Sequence, residues 1–286
     1  MNQLPHKHEK NRWILHFTMR CNYGCAYCIQ KETIARNVSR NVRRYNEMTG
    51  DTWIEALAGI SYRPARAIIM GGEPSLHLDF AYIITQLIVN DYDLDCTTNL
   101  SFNPGILINE LKADGVILPN MWSTYHPEFS DPETYFWKVS KLRDSGTIGK
   151  LTTAYMDLTD RHDLRSEEMD FDLRQFHFLC GETGESAQKS GIRDQSRSEA
   201  FARKKDSGGN PITRKAQCMS SWVNVAPDGE VYNCAYHMSI GKNSFGNIRN
   251  LAELKRMPEY GEFFDCDDYG WCEACHDQSE HGGFRL

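Results

Sequence analysis

Three things are missing or in short supply in this chain of 286 residues. No apolar run is long enough to cross a bilayer. The longest, Phe80 to Val89, contains Thr85 and Gln86 and falls well short of the about 20 residues that a spanning helix needs. Positive charge is in deficit, with 32 Lys and Arg against 39 Asp and Glu and a net charge of −7, which argues against a generally basic nucleic-acid surface. Met1-Asn2-Gln3-Leu4-Pro5-His6-Lys7 lacks the charged-then-apolar leader of a secreted chain. The expectation is a cytoplasmic protein with no membrane span and no nucleic-acid partner.

Cysteine, by contrast, is plentiful. Ten thiols in an enzyme-sized chain without a leader point to a reducing compartment and to metal binding over disulfides. The length suits one large domain with a small appendage, divided here as 1–180, a polar linker or lid at 181–216, and 217–286.

Three of the thiols, Cys21, Cys25 and Cys28, fall within eight residues. They are too close for an ordinary disulfide framework, yet all three can turn toward one soft metal centre. A C-x3-C-x2-C loop supplies three thiolates, so a four-iron cube held there keeps one iron open for a non-protein ligand. The other reading is a zinc knuckle, for which His16 is the nearest fourth ligand. The apolar run Trp13-Ile14-Leu15-His16-Phe17 reads as a strand, which puts the cysteines in a strand-to-helix loop, where a barrel carries its reactive groups.

The cysteine spacing, Tyr27 before the last cysteine and the later Gly71-Gly72-Glu73-Pro74 together resemble the radical S-adenosylmethionine superfamily. The resemblance implies a 4Fe–4S cluster on Cys21, Cys25 and Cys28 whose open iron is chelated by S-adenosylmethionine. One electron then releases a 5′-deoxyadenosyl radical that removes hydrogen from a C–H bond. It also implies an external one-electron reductant such as flavodoxin or ferredoxin. Gly71, Gly72, Glu73 and Pro74 would form the turn that receives the amino group of S-adenosylmethionine. Asn99 lies in a Thr-Asn-Leu sequence where the family often has Thr-Asn-Gly. Ser123, with Thr124 as its rival, would bind the ribose or carboxylate. His126 either protonates or orients a substrate or caps its own loop.

The periodicity predicts six strands alternating with helices. The strands lie at 13–17, 67–70, 94–97, 120–124, 151–155 and 175–180, with helices near 78–90, 106–113 and 132–145. Such alternation predicts an α/β fold with a parallel sheet, and the resemblance implies a partial (β/α)6 TIM-like barrel. Cys96, inside a strand, reads as a small buried hydrophobe. From Gly181 to Ala216 the chain turns to Gly, Ser, Lys and Arg, a lid or a solvated loop.

A second cysteine set follows: Cys218, Cys234, Cys272 and Cys275, with Cys266 beside them. A hairpin pattern runs from Trp222 through Pro227-Asp228-Gly229 to Asn233 and brings its flanking cysteines to one end. Four thiolates suffice for a zinc ion or a cube, and composition does not distinguish the two. The arrangement resembles twitch, a shortened SPASM domain. It implies a small β-hairpin and helix domain with one auxiliary 4Fe–4S cluster, two clusters in all. The full SPASM pattern needs further cysteines beyond the C-x2-C pair, and none occurs before Leu286.

Cys266 is left as a substitute ligand, a structural thiol or, as in the superfamily's epimerases, a donor of hydrogen to a substrate radical. The expected activity is dehydrogenation or epimerisation of a small molecule. Maturation of a peptide ranks lower, because the stretch before Trp13 is too short for a peptide-binding domain. A non-catalytic zinc protein is the reading from another class.

Overall fold

A computed structural model describes residues 12–25, 28, 45–60, 66–155, 173–175, 214–219, 222–256, 262–269 and 283–285. The predicted alternation is present from the first strand to the fifth; of the sixth strand expected at 175–180 only Gln175 lies within the described residues, at the end of a strand that begins at Leu173. Strand β1 (Arg12–His16) leads to helix α1 (Gly50–Ala58), β2 (Arg66–Met70), a single 3-10 turn (Pro74–Leu76), α2 (Phe80–Val89) and β3 (Leu94–Thr98). Then come α3 (Pro104–Ala113), β4 (Leu118–Tyr125), α4 (Pro132–Asp144), β5 (Ile148–Tyr155) and β6 (Leu173–Gln175).

Strands β1 to β6 lie side by side in chain order and pair in parallel. This order never reverses, unlike a doubly wound sheet, so the crossovers wind one way as in a (β/α) barrel. The fold class is therefore α/β. Alternation along the strands sorts side chains onto two faces. Trp13, Leu15, Phe17, Ala67, Ile69, Leu94, Cys96 and Met121 pack against Trp53, Leu57, Ile83, Ile84, Leu87, Leu107, Leu111, Val139 and Leu142 of the helix layer. Each such buried aliphatic side chain contributes on the order of 2 kcal/mol. Cys96 is one of them, fully buried as expected.

The opposite face is mixed and polar. Arg66 pairs with Asp95 at 2.5 Å, His16 meets Asn224 at 3.2 Å, and Met70, Thr97, Trp122 and Thr124 are only half-buried. The helices begin on the residues that favour helix starts. Asn103 caps α3 and Asp131 caps α4, each followed by proline at the first helical position.

The C-terminal hairpin, β8 (Trp222–Val225) with β9 (Val231–Tyr232), is antiparallel as expected but does not stand apart. Strand β8 pairs in parallel with β1 and extends the main sheet to eight strands. The first strand of an open barrel has an unpaired edge, and β8 covers it. Only β7 (Arg214–Met219), β10 (Phe264–Tyr269) and β11 (Gly283–Arg285) form a second sheet, with β7 central. Strand β7 also starts inside the stretch assigned to the 181–216 linker, because it finds two antiparallel partners. A short helix α5 (Ala235–Ile240) follows β9. No helix among the described residues is long and apolar enough to cross a membrane.

Candidate active site at the strand ends

The cysteine loop leaves the end of β1 and lies against the turn after β2. Gly72 N donates to Thr18 O at 3.1 Å and Glu73 N to Arg20 O at 2.7 Å. The contact is so close that a Cβ on Gly71 would stand 2.4 Å from Thr18 O, and one on Gly72 1.9 Å from Arg20 O. Gly71 also has φ of 141°, a conformation reserved for glycine. The Gly-Gly pair is thus fixed by backbone meeting backbone.

The approach to the cysteines is held from its other side. Arg20 reaches both carboxylate oxygens of Glu47 at 2.9 and 2.7 Å and donates to Leu76 O at 2.8 Å, while the Thr18 hydroxyl also donates to Glu47. Burial pushes the Glu47 carboxyl up, but these hydrogen bonds and the Arg20 charge hold it below its ordinary value. Met19 packs with Tyr45 against Ala226, Tyr232 and Met238, so the hairpin and α5 rest on the same approach.

Cys21 is exposed, Cys28 half-buried and Cys25 buried. Burial raises the Cys21 thiol above its ordinary value, and the charges of Glu73, Cys28 and Cys25 add to the rise against a hydrogen bond from Tyr23 N. The three thiols therefore lie within electrostatic reach of one another, and binding a metal would release their protons. The loop after β4 clamps them. Tyr23 stacks on Phe129 at 5.1 Å, meets His126 edge-on at 5.5 Å and shares a 2.7 Å hydrogen bond with Ser130. Cys25 Sγ stands 3.6 Å from His126 Nδ1. Burial lowers His126 to about 4, so its ring is neutral near pH 7.

Glu73 is 1% exposed and accepts four hydrogen bonds, from Ser75 N at 3.1 Å, Ser75 Oγ at 2.6 Å, Thr98 Oγ1 at 2.7 Å and Asn99 N at 2.7 Å. Three of the four fall on Oε1 and one on Oε2, so the carboxylate ties the ends of β2 and β3 together while Oε2 keeps room for a further donor. Asn99 in turn donates to Asn22 Oδ1 at 3.1 Å and ties the end of β3 to the cysteine loop. Leu100, which stands where the resembling motif has glycine, still adopts φ of 55°, and its carbonyl accepts from Lys138 at 2.8 Å.

That conformation costs a non-glycine residue about 1–2 kcal/mol, yet Leu100 is 1% exposed, and emptying such a site costs about 2–5 kcal/mol. Leu100→Gly should therefore lose roughly 1–3 kcal/mol in chemical denaturation. A gain would show that backbone strain outweighs packing.

Gly71, Gly72, Glu73 and Asn99 thus meet the cysteine segment, His126 joins them, and Pro74 is buried next in the same turn, its carbonyl accepting from His77 N. Ser123 does not meet that segment. It is fully buried, accepts from Tyr135 at 2.9 Å and shares a hydrogen bond with Thr153 at 3.1 Å. It shares the helix-facing side of β4 with Met121 and Tyr125, and alternation turns its rival Thr124 to the polar face. His16, the nearest extra ligand for zinc, is 3% exposed and engages Asn224 across the sheet. Tyr27, Cys272 and Cys275 lie outside the described residues.

In the second set, Cys234 caps α5 and accepts from His237 N at 3.3 Å. Cys218 lies opposite Phe264 and Ala216 opposite Cys266, so Cys218 and Cys266 share one face of the β7–β10 pair as diagonal neighbours. His237 is 2% exposed; burial opposes its charge, but hydrogen bonds to Cys234 and Cys266 raise it to about 10. His237 lies one helical turn from Cys234, whereas its contact with Cys266 is long-range and left no local signal in the sequence. Among the described residues, no three Cys, His, Asp or Glu side chains converge on a position for a single ion.

Three thiols at the end of β1 and a glycine turn at the end of β2, on a sheet wound in chain order, define the class of site. Residues 15–121 match the family model of the Radical SAM superfamily, and residues 217–277 that of SPASM, an iron–sulfur cluster-binding domain. The chain carries a radical SAM domain followed by an auxiliary iron–sulfur cluster-binding domain.

Among curated proteins it is similar to the S-adenosylmethionine-dependent nucleotide dehydratase of Selenomonas ruminantium, 31% identical over 35% of this chain and 34% of the relative. It is also similar to the GTP 3′,8-cyclase of Clostridium botulinum (strain Okra / Type B1), 32% identical over 35% of this chain and 30% of the relative. These matches span about a third of those relatives' length. Among solved structures, BtrN in complex with AdoMet and 2-DOIA aligns with a TM-score of 0.45 and 14% identity over 88% of this chain and 81% of that one. Streptococcus suis SuiB bound to the precursor peptide SuiA aligns at 0.41 and 13% over 88% and 66%.

Proposed function

We propose that this protein cleaves S-adenosylmethionine reductively to a 5′-deoxyadenosyl radical and removes hydrogen from a small-molecule substrate, with one auxiliary 4Fe–4S cluster. The observation that carries the reading is the Gly71-Gly72 turn laid on the Thr18–Arg20 backbone beside three thiols. The donor set fits the group. Three thiols in one loop, Cys25 packed with Cys28 and Cys21 feeling the charge of both, suit a cube, which takes each thiolate on a different iron and leaves the fourth iron open. When bound, the cluster and S-adenosylmethionine supply one-electron cleavage of the sulfonium and hydrogen abstraction.

The chain's own residues hold and orient. Cys21, Cys25 and Cys28 are the ligands we assign to the first cluster, and Cys218, Cys234, Cys272 and Cys275 those of the second. The Glu73 carboxylate ties the ends of β2 and β3 together, and Glu73 O and Pro74 O accept from Leu76 N and His77 N, each at 3.0 Å. The backbone carbonyls of this turn, together with Glu73 Oε2, which takes one hydrogen bond from Asn99 N, would receive the ammonium of S-adenosylmethionine. The half-buried Trp122, Thr124, Thr97 and Met70 line the polar face on which a substrate would lie.

A small molecule is favoured because the two curated relatives are named for nucleotide chemistry. Dehydrogenation is favoured over epimerisation because Cys266 is 7% exposed and engaged with His237, whereas a hydrogen donor must face the substrate. The electron would come from a flavodoxin or ferredoxin.

The test is 5′-deoxyadenosine formation by oxygen-free protein with dithionite and S-adenosylmethionine. Wild type should form it, and the Cys21→Ala/Cys25→Ala/Cys28→Ala variant should not, while keeping the iron of the second site. Equal formation by both would end the reading.

A further inference from the structure

The contact between His126 and Cys25 is not explained by substrate handling or by loop capping. His126 Nδ1 faces Cys25 Sγ at 3.6 Å, within hydrogen-bond range for sulfur. The ring is set edge-on to Tyr23, which is itself fixed by stacking on Phe129 and by its hydroxyl contact with Ser130. The imidazole is thus aimed at the thiol by packing. On the cluster reading above, on which this inference rests, Cys25 is a thiolate with lone pairs only. A ring nitrogen facing it at this distance must donate.

We infer that His126 is a positioning residue that donates an Nδ1–H hydrogen bond to the cluster-bound Cys25 thiolate and raises the reduction potential of the first cluster. A donor to a ligating sulfur stabilises the reduced, more negative cluster more than the oxidised one. The device suits the direction of electron flow: a higher potential eases reduction by the external donor, at some cost in driving force for breaking the sulfonium. His126 then acts on the cluster through its ligand, and it need not touch substrate.

The experiment is a potentiometric titration followed by electron paramagnetic resonance on reconstituted protein in a Cys218→Ala/Cys234→Ala background, which removes the second signal. His126→Phe keeps the ring against Tyr23 and loses the donor. His126→Asn places an amide N–H near the position of Nδ1. The expected result is a midpoint shifted to more negative potential in His126→Phe and returned toward the wild-type value in His126→Asn. Equal midpoints in wild type and His126→Phe would overturn the inference while leaving the cluster reading intact. No reduced-cluster signal in the protein with His126 intact would overturn the cluster reading itself.

Discussion

Gly72→Ala is expected to reduce 5′-deoxyadenosine formation by about a hundred-fold or more and to lower the iron retained by the first site. The added Cβ would stand 1.9 Å from Arg20 O and 2.8 Å from Met19 C. Both are backbone atoms, so no side-chain rotation relieves the overlap, and the two loops must part by more than about 1 Å. Overpacking of this kind costs about 1–3 kcal/mol. The hydrogen bond from Glu73 N to Arg20 O is lost with it. A displacement near 1 Å in a reacting geometry costs about 10²-fold in rate, so the chemical effect exceeds the effect on folding. Gly115→Ala is the control. Gly115 has φ of 65°, but a Cβ there would meet no atom within 4 Å, so that change should cost about 1 kcal/mol and leave the rate alone. Anaerobic assay, iron analysis and circular dichroism check the pair. A Gly72→Ala protein with wild-type iron and rate would show that the close approach does not matter.

The second large effect is expected at Glu73. In Glu73→Ala, Ser75 N, Ser75 Oγ, Thr98 Oγ1 and Asn99 N lose their shared acceptor. Removing one side of a buried charged network costs about 3–5 kcal/mol, largely because the donors stay buried and unpaired. For a chain of this size that is a fall in melting temperature of roughly 6–15 °C. Asn99 would also lose its anchor and with it the link to Asn22. Glu73→Gln keeps one acceptor oxygen but presents an NH2 to the rest, so it should fall between Ala and wild type. Thermal unfolding and iron retention measure the series. An unchanged melting temperature in Glu73→Ala would mean that the donors find other partners.

Much of this site is legible in the sequence because its parts are local. Cys21, Cys25 and Cys28 share one loop, and Gly71 to Pro74 share one turn, so type and spacing carry the chemistry. The strand pattern puts both at strand ends. From sequence, the glycines make room for a ligand; the structure shows in addition that they make room for Thr18 and Arg20.

Other features depend on pairings between distant residues. Alternation with Met121 and Tyr125 is the available sign that Ser123 faces the helices, and the motif resemblance runs against it. The covering of β1 by β8 links segments about 210 residues apart, the Tyr23 clamp with His126 and Phe129 links segments about 100 apart, and the contact of His237 with Cys266 reaches the second sheet. No periodicity reports such contacts. Leu100 shows the converse: a missing glycine suggests a changed turn, but burial of the side chain and the Lys138 contact keep the left-handed backbone.

The account stands or falls on what the first loop binds. Iron, acid-labile sulfide and zinc should be measured on the Cys218→Ala/Cys234→Ala protein prepared and kept free of oxygen. About four iron and four sulfide per chain, with no zinc, is the predicted result. Stoichiometric zinc, or a metal content unchanged by Cys21→Ala/Cys25→Ala/Cys28→Ala, would contradict it.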